Sequence, residues 1–144
     1  MKYTIETRIE KPLEEVLEQF HEPSNYMKWM PGIISHQVTS GENREAGSKS
    51  VFKFKMNGRD FEIEERVLKN EEHEVVAEFV SNGTVNIQTT QFSKIDANNT
   101  TYTVNESFKL KGLMKVIGFL MPGSFKKQTK AFVEAFKNFA ENGE

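Results

Sequence analysis

Two glutamates stand where the pattern around them favours apolar residues. Glu65 falls between Ile63 and Val67, and Glu106 between Val104 and Phe108, at the period of two that puts alternate side chains of a strand on one face. A carboxyl set among apolar side chains holds its proton to higher pH and becomes a candidate general acid or base. The competing expectation places each near a sheet edge or mouth, solvated or paired with a cation such as Arg59 or Lys115, and a strand bulge would turn either outward. His36 shares a face with Ile34 and Val38, where a neutral imidazole can donate a hydrogen bond to a ligand carbonyl. These three are the candidate catalytic residues, and proton transfer is the chemistry they can do.

Other chemistries find no support. With no cysteine there is no thiolate nucleophile, disulfide or thiolate metal site. His21, His36 and His73 lack the spacing of a zinc motif, and phosphate-binding glycine loops and the G-x-S-x-G elbow are missing, so no metal and no cofactor is expected. The 19 basic and 21 acidic residues are scattered and leave a net charge of -2, which gives nucleic acid no basic surface to follow. Met1 to Glu6 alternates polar and apolar residues, unlike a signal peptide, so a cytoplasmic location is expected. The segment Leu113 to Met121 is interrupted by Lys115 and falls short of the ~20 residues that cross a bilayer, so stable membrane insertion is not expected.

The elements that would position the candidate groups follow from periodicity. Tyr3, Ile5, Thr7 and Ile9 line one face of a first strand, and Leu13, Val16, Leu17 and Phe20 recur at helical spacing after Pro12. Pro23-Ser24-Asn25 restarts the chain as a second short helix carrying Tyr26, Met27, Trp29 and Met30, stopped by Pro31-Gly32. From Ile33 to Leu110 six strands fit between breaks at 41–47, Asn57-Gly58, 69–72, Asn82-Gly83 and 96–99, and the two Asn-Gly pairs are strong hairpin signals. Beyond Gly112 the period becomes helical, with Phe125, Thr129, Phe132, Phe136 and Phe139 on one face and a bend expected at Pro122-Gly123.

This order predicts one domain over residues 1–144, of α+β class: a seven-stranded curved antiparallel sheet, in the order β-α-α-β6-α, wrapped around the C-terminal helix. The helix must cover the apolar face. Phe52, Phe54 and Met56 oppose Lys53 and Lys55; Phe61 and Ile63 oppose Glu62 and Glu64; Phe79 opposes Glu78; Tyr102, Val104 and Phe108 oppose Thr103, Asn105 and Lys109. With Trp29, Phe92, Met121 and Phe125 these are the expected ligand-binding wall, suited to a hydrophobic small molecule. Trp29 has a second expected role, anchoring its helix to the sheet. The flexible, apolar segment from Leu113 to Met121 suits a gate, a transient membrane or protein contact, or burial under a loop or in a dimer; the oligomeric state is left open.

The chain resembles the START/Bet v 1-like superfamily, also described as SRPBCC or polyketide cyclase/dehydrase-like. The resemblance is carried in order by Lys11-Pro12 with Val16, Tyr26-Met27-Lys28-Trp29-Met30-Pro31-Gly32, Gly47-Ser48, Thr101 at the opening of the last strand, and Phe136-Lys137-Asn138-Phe139-Ala140-Glu141. It implies a helix-grip fold and an enclosed lipid, sterol, quinone, hormone or polyketide, in carriers, sensors and cyclases alike. The length matches the small bacterial-type branch. Three roles follow as expectations: a binder or carrier of a hydrophobic metabolite, a metal-free cyclase or dehydratase using Glu65, Glu106 or His36, and a chaperone-cofactor or membrane-associated interaction module.

Overall fold

The computed structural model describes residues 1–112 and 122–143. Seven strands, β1 (Lys2–Ile9), β2 (Ile33–Ser40), β3 (Lys49–Met56), β4 (Arg59–Asn70), β5 (Glu74–Ser81), β6 (Thr84–Asp96) and β7 (Asn99–Leu110), form one antiparallel sheet in the order β1-β7-β6-β5-β4-β3-β2. Helices α1 (Leu13–His21) and α2 (Tyr26–Trp29), joined by a 3-10 turn at Pro23–Asn25, carry the chain from one edge strand to the other, and α3 (Pro122–Asn142) lies across the inward face. This is the helix-grip arrangement.

Local chemistry accounts for the hairpins. Asn57-Gly58 and Asn82-Gly83 all have positive φ, the backbone of the two-residue turns whose twist matches that of paired strands. Gly32 is needed for a different reason. Its φ is +73°, it accepts the Lys55 N–H at 2.8 Å, and an added Cβ would stand 2.4 Å from the Lys55 carbonyl oxygen. Backbone cannot yield as a flexible side chain does. Gly32→Ala is therefore expected to cost about 2–4 kcal/mol, combining left-handed strain with a clash that shifts the β2–β3 pairing. Urea unfolding checks it, and a loss under 1 kcal/mol would mean the junction relaxes freely.

The core divides in two. Ile9, Val16, Phe20, Val75, Phe92, Tyr102, Val104, Val133, Phe136 and Phe139 form the larger cluster beneath α1 and the C-terminal half of α3. Tyr26, Phe52 and Phe54 form a smaller one, against which Met30, Ile33, Phe61, Ile63, Phe79 and Phe132 pack. The phenylalanine stripe of α3 reaches both: Phe136 meets the Phe92 and Tyr102 rings edge-on, Phe132 meets Phe54, and Phe125 meets Phe108. Tyr3 fastens the helix to β1, donating to the Phe125 carbonyl at 2.9 Å and sharing a 2.6 Å hydrogen bond with Thr129.

One expectation changes. Ile34 is exposed and Ile33 packs inward, because a register shift between Ile33 and Ser35 moves the alternation by one before His36 pairs with Phe52. The described helix α3 starts at Pro122; the expected helical stretch before it, on which the bend at Pro122-Gly123 depends, and the gate assigned to Leu113 to Met121, lie outside the described residues. Among the described residues no helix is long and apolar enough to cross a membrane.

Candidate functional site

Burial along the inner wall is uneven. Toward the end with α1 the inward side chains are buried, whereas Phe61, Ile63, Phe79, Phe108 and Phe125, toward the Asn-Gly turns and the start of α3, are only half-buried. Large rings on the inward face of a covered sheet stay partly accessible only where the described side chains do not fill the space before them.

Between the packed end and this half-open end runs a belt of polar residues. Cross-strand neighbours Val38, Ser50, Glu65, Phe79, Asn86 and Phe108 make one row, and Val67, Ala77, Gln88, Glu106 and Tyr3 make the next. Both glutamates are buried, Glu65 at 5% exposure and Glu106 at 4%. The expectation of solvated carboxyls or an ion pair with Arg59 does not hold: Arg59 is exposed, and alternation runs unbroken through both positions, the β4 irregularity falling later, between Val67 and Lys69. Lys115 lies outside the described residues.

The two carboxyls have different surroundings. Glu106 receives the Asn86 side-chain amide at 2.5 Å on one oxygen and the Gln88 amide at 2.6 Å on the other. Burial pushes its pKa up, and the two amide bonds pull against that. Burial also raises Glu65, opposed only by the positive charge of Arg44, and no hydrogen bond reaches its carboxyl among the described residues. Three strand spacings of ~4.8 Å separate β4 from β7, so the glutamates stand about 14 Å apart around the sheet and do not act on one atom.

Arg44 was not foreseen. It sits in the turn between β2 and β3 with φ +70°, donates from Nη2 to the Phe20 carbonyl at 2.7 Å, and lays its guanidinium over the Phe20 and Tyr26 rings. His36 packs against Tyr26 and Phe52, and burial, then Arg44, lowers its pKa, which keeps the imidazole neutral. Burial raises Tyr26 to about 12 and Tyr3 to about 12, so both hydroxyls stay protonated.

The expected ligand wall divides in the same way. Phe61, Ile63, Phe79, Phe108 and Phe125 border the half-open end, as does Met56, whose sulfur accepts from Gln128 Nε2 at 3.0 Å. Phe52 and Phe54 are buried and stacked on each other. Phe92, Tyr102 and Val104 instead belong to the packed core, where the Phe136 ring occupies the space before them. Trp29 packs edge-on against Phe136, the anchoring position, with its indole N–H buried and unpartnered among the described residues. Met121 lies outside the described residues. Asn86 and Gln88 were missed, although Asn86-x-Gln88-x-Thr90-x-Phe92 shows the same alternation that marked Glu65.

Two hollows bordered by described residues, of about 160 and 430 Å³, open to solvent at the sheet. The first is lined by Lys49, Glu64, Arg66 and Glu78 together with Ser50 and Glu65 of the belt, the second by Lys2, Thr4, Thr89 and Asn105 together with Tyr3 and Glu106. Charged and polar rims open to solvent do not make an enclosed apolar site, and the inner belt is the better candidate.

Comparison with known proteins agrees with this architecture. A START superfamily protein from Mycobacterium smegmatis superposes with a TM-score of 0.82 at 12% identity, covering 99% of each chain. The Zhui aromatase/cyclase from Streptomyces sp. R1128 gives 0.81 at 10% identity, covering 98% of this chain and 93% of that one. Ara h 8.0201 gives 0.77 at 12%, covering 97% of each. At such identities the likeness is one of fold alone. No curated protein matches the sequence. The family model for polyketide cyclase / dehydrase and lipid transport matches residues 1–141, and the chain belongs to that family.

Proposed function

We propose that this protein binds a hydrophobic small molecule between the sheet and the N-terminal half of α3, as a cytoplasmic binder or carrier. The observation that carries this reading is the burial gradient: inward-facing Phe61, Ile63, Phe79, Phe108 and Phe125 stay half-buried beside a polar belt, while the far end of the same wall is packed. An apolar body would cover those rings, and the belt would orient it through a few hydrogen bonds. Covering apolar surface contributes ~25 cal/mol per Å², so even ~200 Å² of ring and aliphatic surface supplies about 5 kcal/mol before the costs of association.

A catalytic reading, in which a carboxyl moves protons during cyclisation or dehydration, has less support. Glu106 has both oxygens held by amides, Glu65 stands about 14 Å away by strand spacing, and His36 lies on β2, two strands beyond Glu65. Positioned proton transfer needs its groups within hydrogen-bond reach of one reacting centre. The role of an interaction module rests on Leu113 to Met121, outside the described residues.

Native mass spectrometry of the purified chain and titration with fatty acids, quinones and aromatic polyketide mimics test the binding reading. Saturable one-to-one binding, weakened about tenfold or more by Phe79→Asp, is the expected result; no saturable binding by any probe would overturn it.

A further inference from the structure

Two neighbouring polar side chains at the belt have no hydrogen-bond partner among the described residues. Ser48 is 2% exposed, and its hydroxyl is buried without a partner among the described residues. The carboxyl of Glu65, directly across from Ser50, accepts no hydrogen bond among the described residues. Ser48 lies beside it, since its carbonyl accepts from the N–H of Val67, two residues along β4 on Glu65's own face. Arg44 is near: its charge acts on Glu65, its Nη2 donates to the Phe20 carbonyl, and its Nε is buried without a partner among the described residues. Buried polar groups in folded proteins are nearly all satisfied, so a serine hydroxyl without a partner beside a carboxyl that accepts no hydrogen bond marks a place for an outside partner. The spot borders the half-open end through Ile63 and Phe79, the residues next to Glu65 along and across the sheet.

We infer that Glu65 and Ser48 form a second polar subsite, distinct from the Glu106 clamp, that takes a neutral oxygen, a hydroxyl or a carbonyl, borne by the apolar ligand. The inference rests on the binding reading above and adds what the ligand must carry. Glu106 cannot serve in the same way, because Asn86 and Gln88 already occupy its oxygens. A carboxylate ligand is disfavoured beside the buried Glu65 carboxyl. Small neighbours leave room: Ser50 stands across one side of Glu65, and Ala77 across from Val67.

The test uses naphthalene, 2-naphthol and 2-naphthoate as probes, titrated calorimetrically into the full chain at pH 7. One or two hydrogen bonds to otherwise unpaired groups correspond to ~10-fold tighter binding of 2-naphthol than of naphthalene. The naphthoate should bind more weakly than the naphthol. Glu65→Leu should bring the naphthol-to-naphthalene ratio near one while naphthalene still binds, and Ser48→Ala should reduce it about threefold, a change small enough to leave folding intact. Equal naphthol and naphthalene affinities in the unsubstituted chain would mean trapped water satisfies these groups, and would overturn the subsite alone. The subsite is overturned in the same way if neither substitution alters the ratio. If none of the three probes binds, and the wider ligand panel also fails, the binding reading falls and takes the subsite with it.

Discussion

Phe136→Ala lowers the stability of this protein by about 3–5 kcal/mol, the range for deleting a fully buried ring from a packed core. Phe136 is 0% exposed and meets four other rings: Phe20 and Tyr102 at 5.4 Å, Trp29 at 5.1 Å and Phe92 at 6.2 Å between centroids. Those partners come from α1, α2, β6 and β7 and face the ring from several sides. None can move into the vacated volume without leaving contacts of its own, so the cavity stays open. For a chain of this size the loss corresponds to a fall in Tm of roughly 10–15 °C, read by calorimetry or circular dichroism. Phe61→Ala is the informative contrast. That ring is half-buried and, among the described residues, stacks on the Phe54 ring alone, so its removal should cost nearer ~1 kcal/mol. Equal losses at the two positions would mean that the wall is packed evenly from end to end, against the gradient on which the ligand site rests.

That contrast also marks how far the sequence could be read. Strand alternation located Phe61 and Phe92 equally well on the inward face, and it located Glu65 and Glu106 there too, because a period of two needs only neighbours. It could not say that Phe92 is buried against the Phe136 ring while Phe61 stays half-buried, since that difference depends on where α3 crosses the sheet. Ile34 was misplaced for a related reason: one extra residue in β2 reverses the alternation, and nothing in Ile33-Ile34-Ser35 marks it. The pairing of β1 with β7, which brings Tyr3 beside Glu106, joins residues about a hundred positions apart and leaves no local trace. Arg44 was passed over because a charged residue in a Gly-flanked loop ordinarily faces water; its course over the Phe20 and Tyr26 rings is a tertiary fact. Asn86 and Gln88, by contrast, were legible. Two amides alternating into an aromatic strand are as anomalous there as the glutamates, though they carry no charge.

Glu65→Gln makes the protein more stable at pH 8, by roughly 1–3 kcal/mol, and leaves its stability at pH 4 nearly unchanged. The sign follows from proton linkage. Burial raises the pKa of Glu65 in the folded state, so the fold holds this proton more tightly than the unfolded chain does. The associated stabilisation is fully present below the ordinary glutamate value and is lost as pH rises through the folded one. At pH 8 the wild-type chain must either keep a proton that the solvent would take or bury a charge that only Arg44 opposes. Glutamine has neither problem, so the difference between variant and wild type should open as pH rises. Comparing the two chains at each pH matters because His36 works the other way: its lowered pKa adds stability that falls as pH drops below the ordinary histidine range. That contribution is common to both chains and cancels in the difference. Glu106→Gln separates burial from bonding. It removes the same kind of buried carboxyl, but a glutamine offers one acceptor oxygen where Asn86 and Gln88 now donate to two. One of those amides must turn or go unpaired, so the gain at pH 8 should be smaller than for Glu65→Gln, or reversed. Urea unfolding of the three chains between pH 4 and pH 8 reads both effects. Parallel curves for wild type and Glu65→Gln would show that the Glu65 carboxyl titrates as if in water, and would remove the physical basis for treating it as a vacant polar group in the ligand wall.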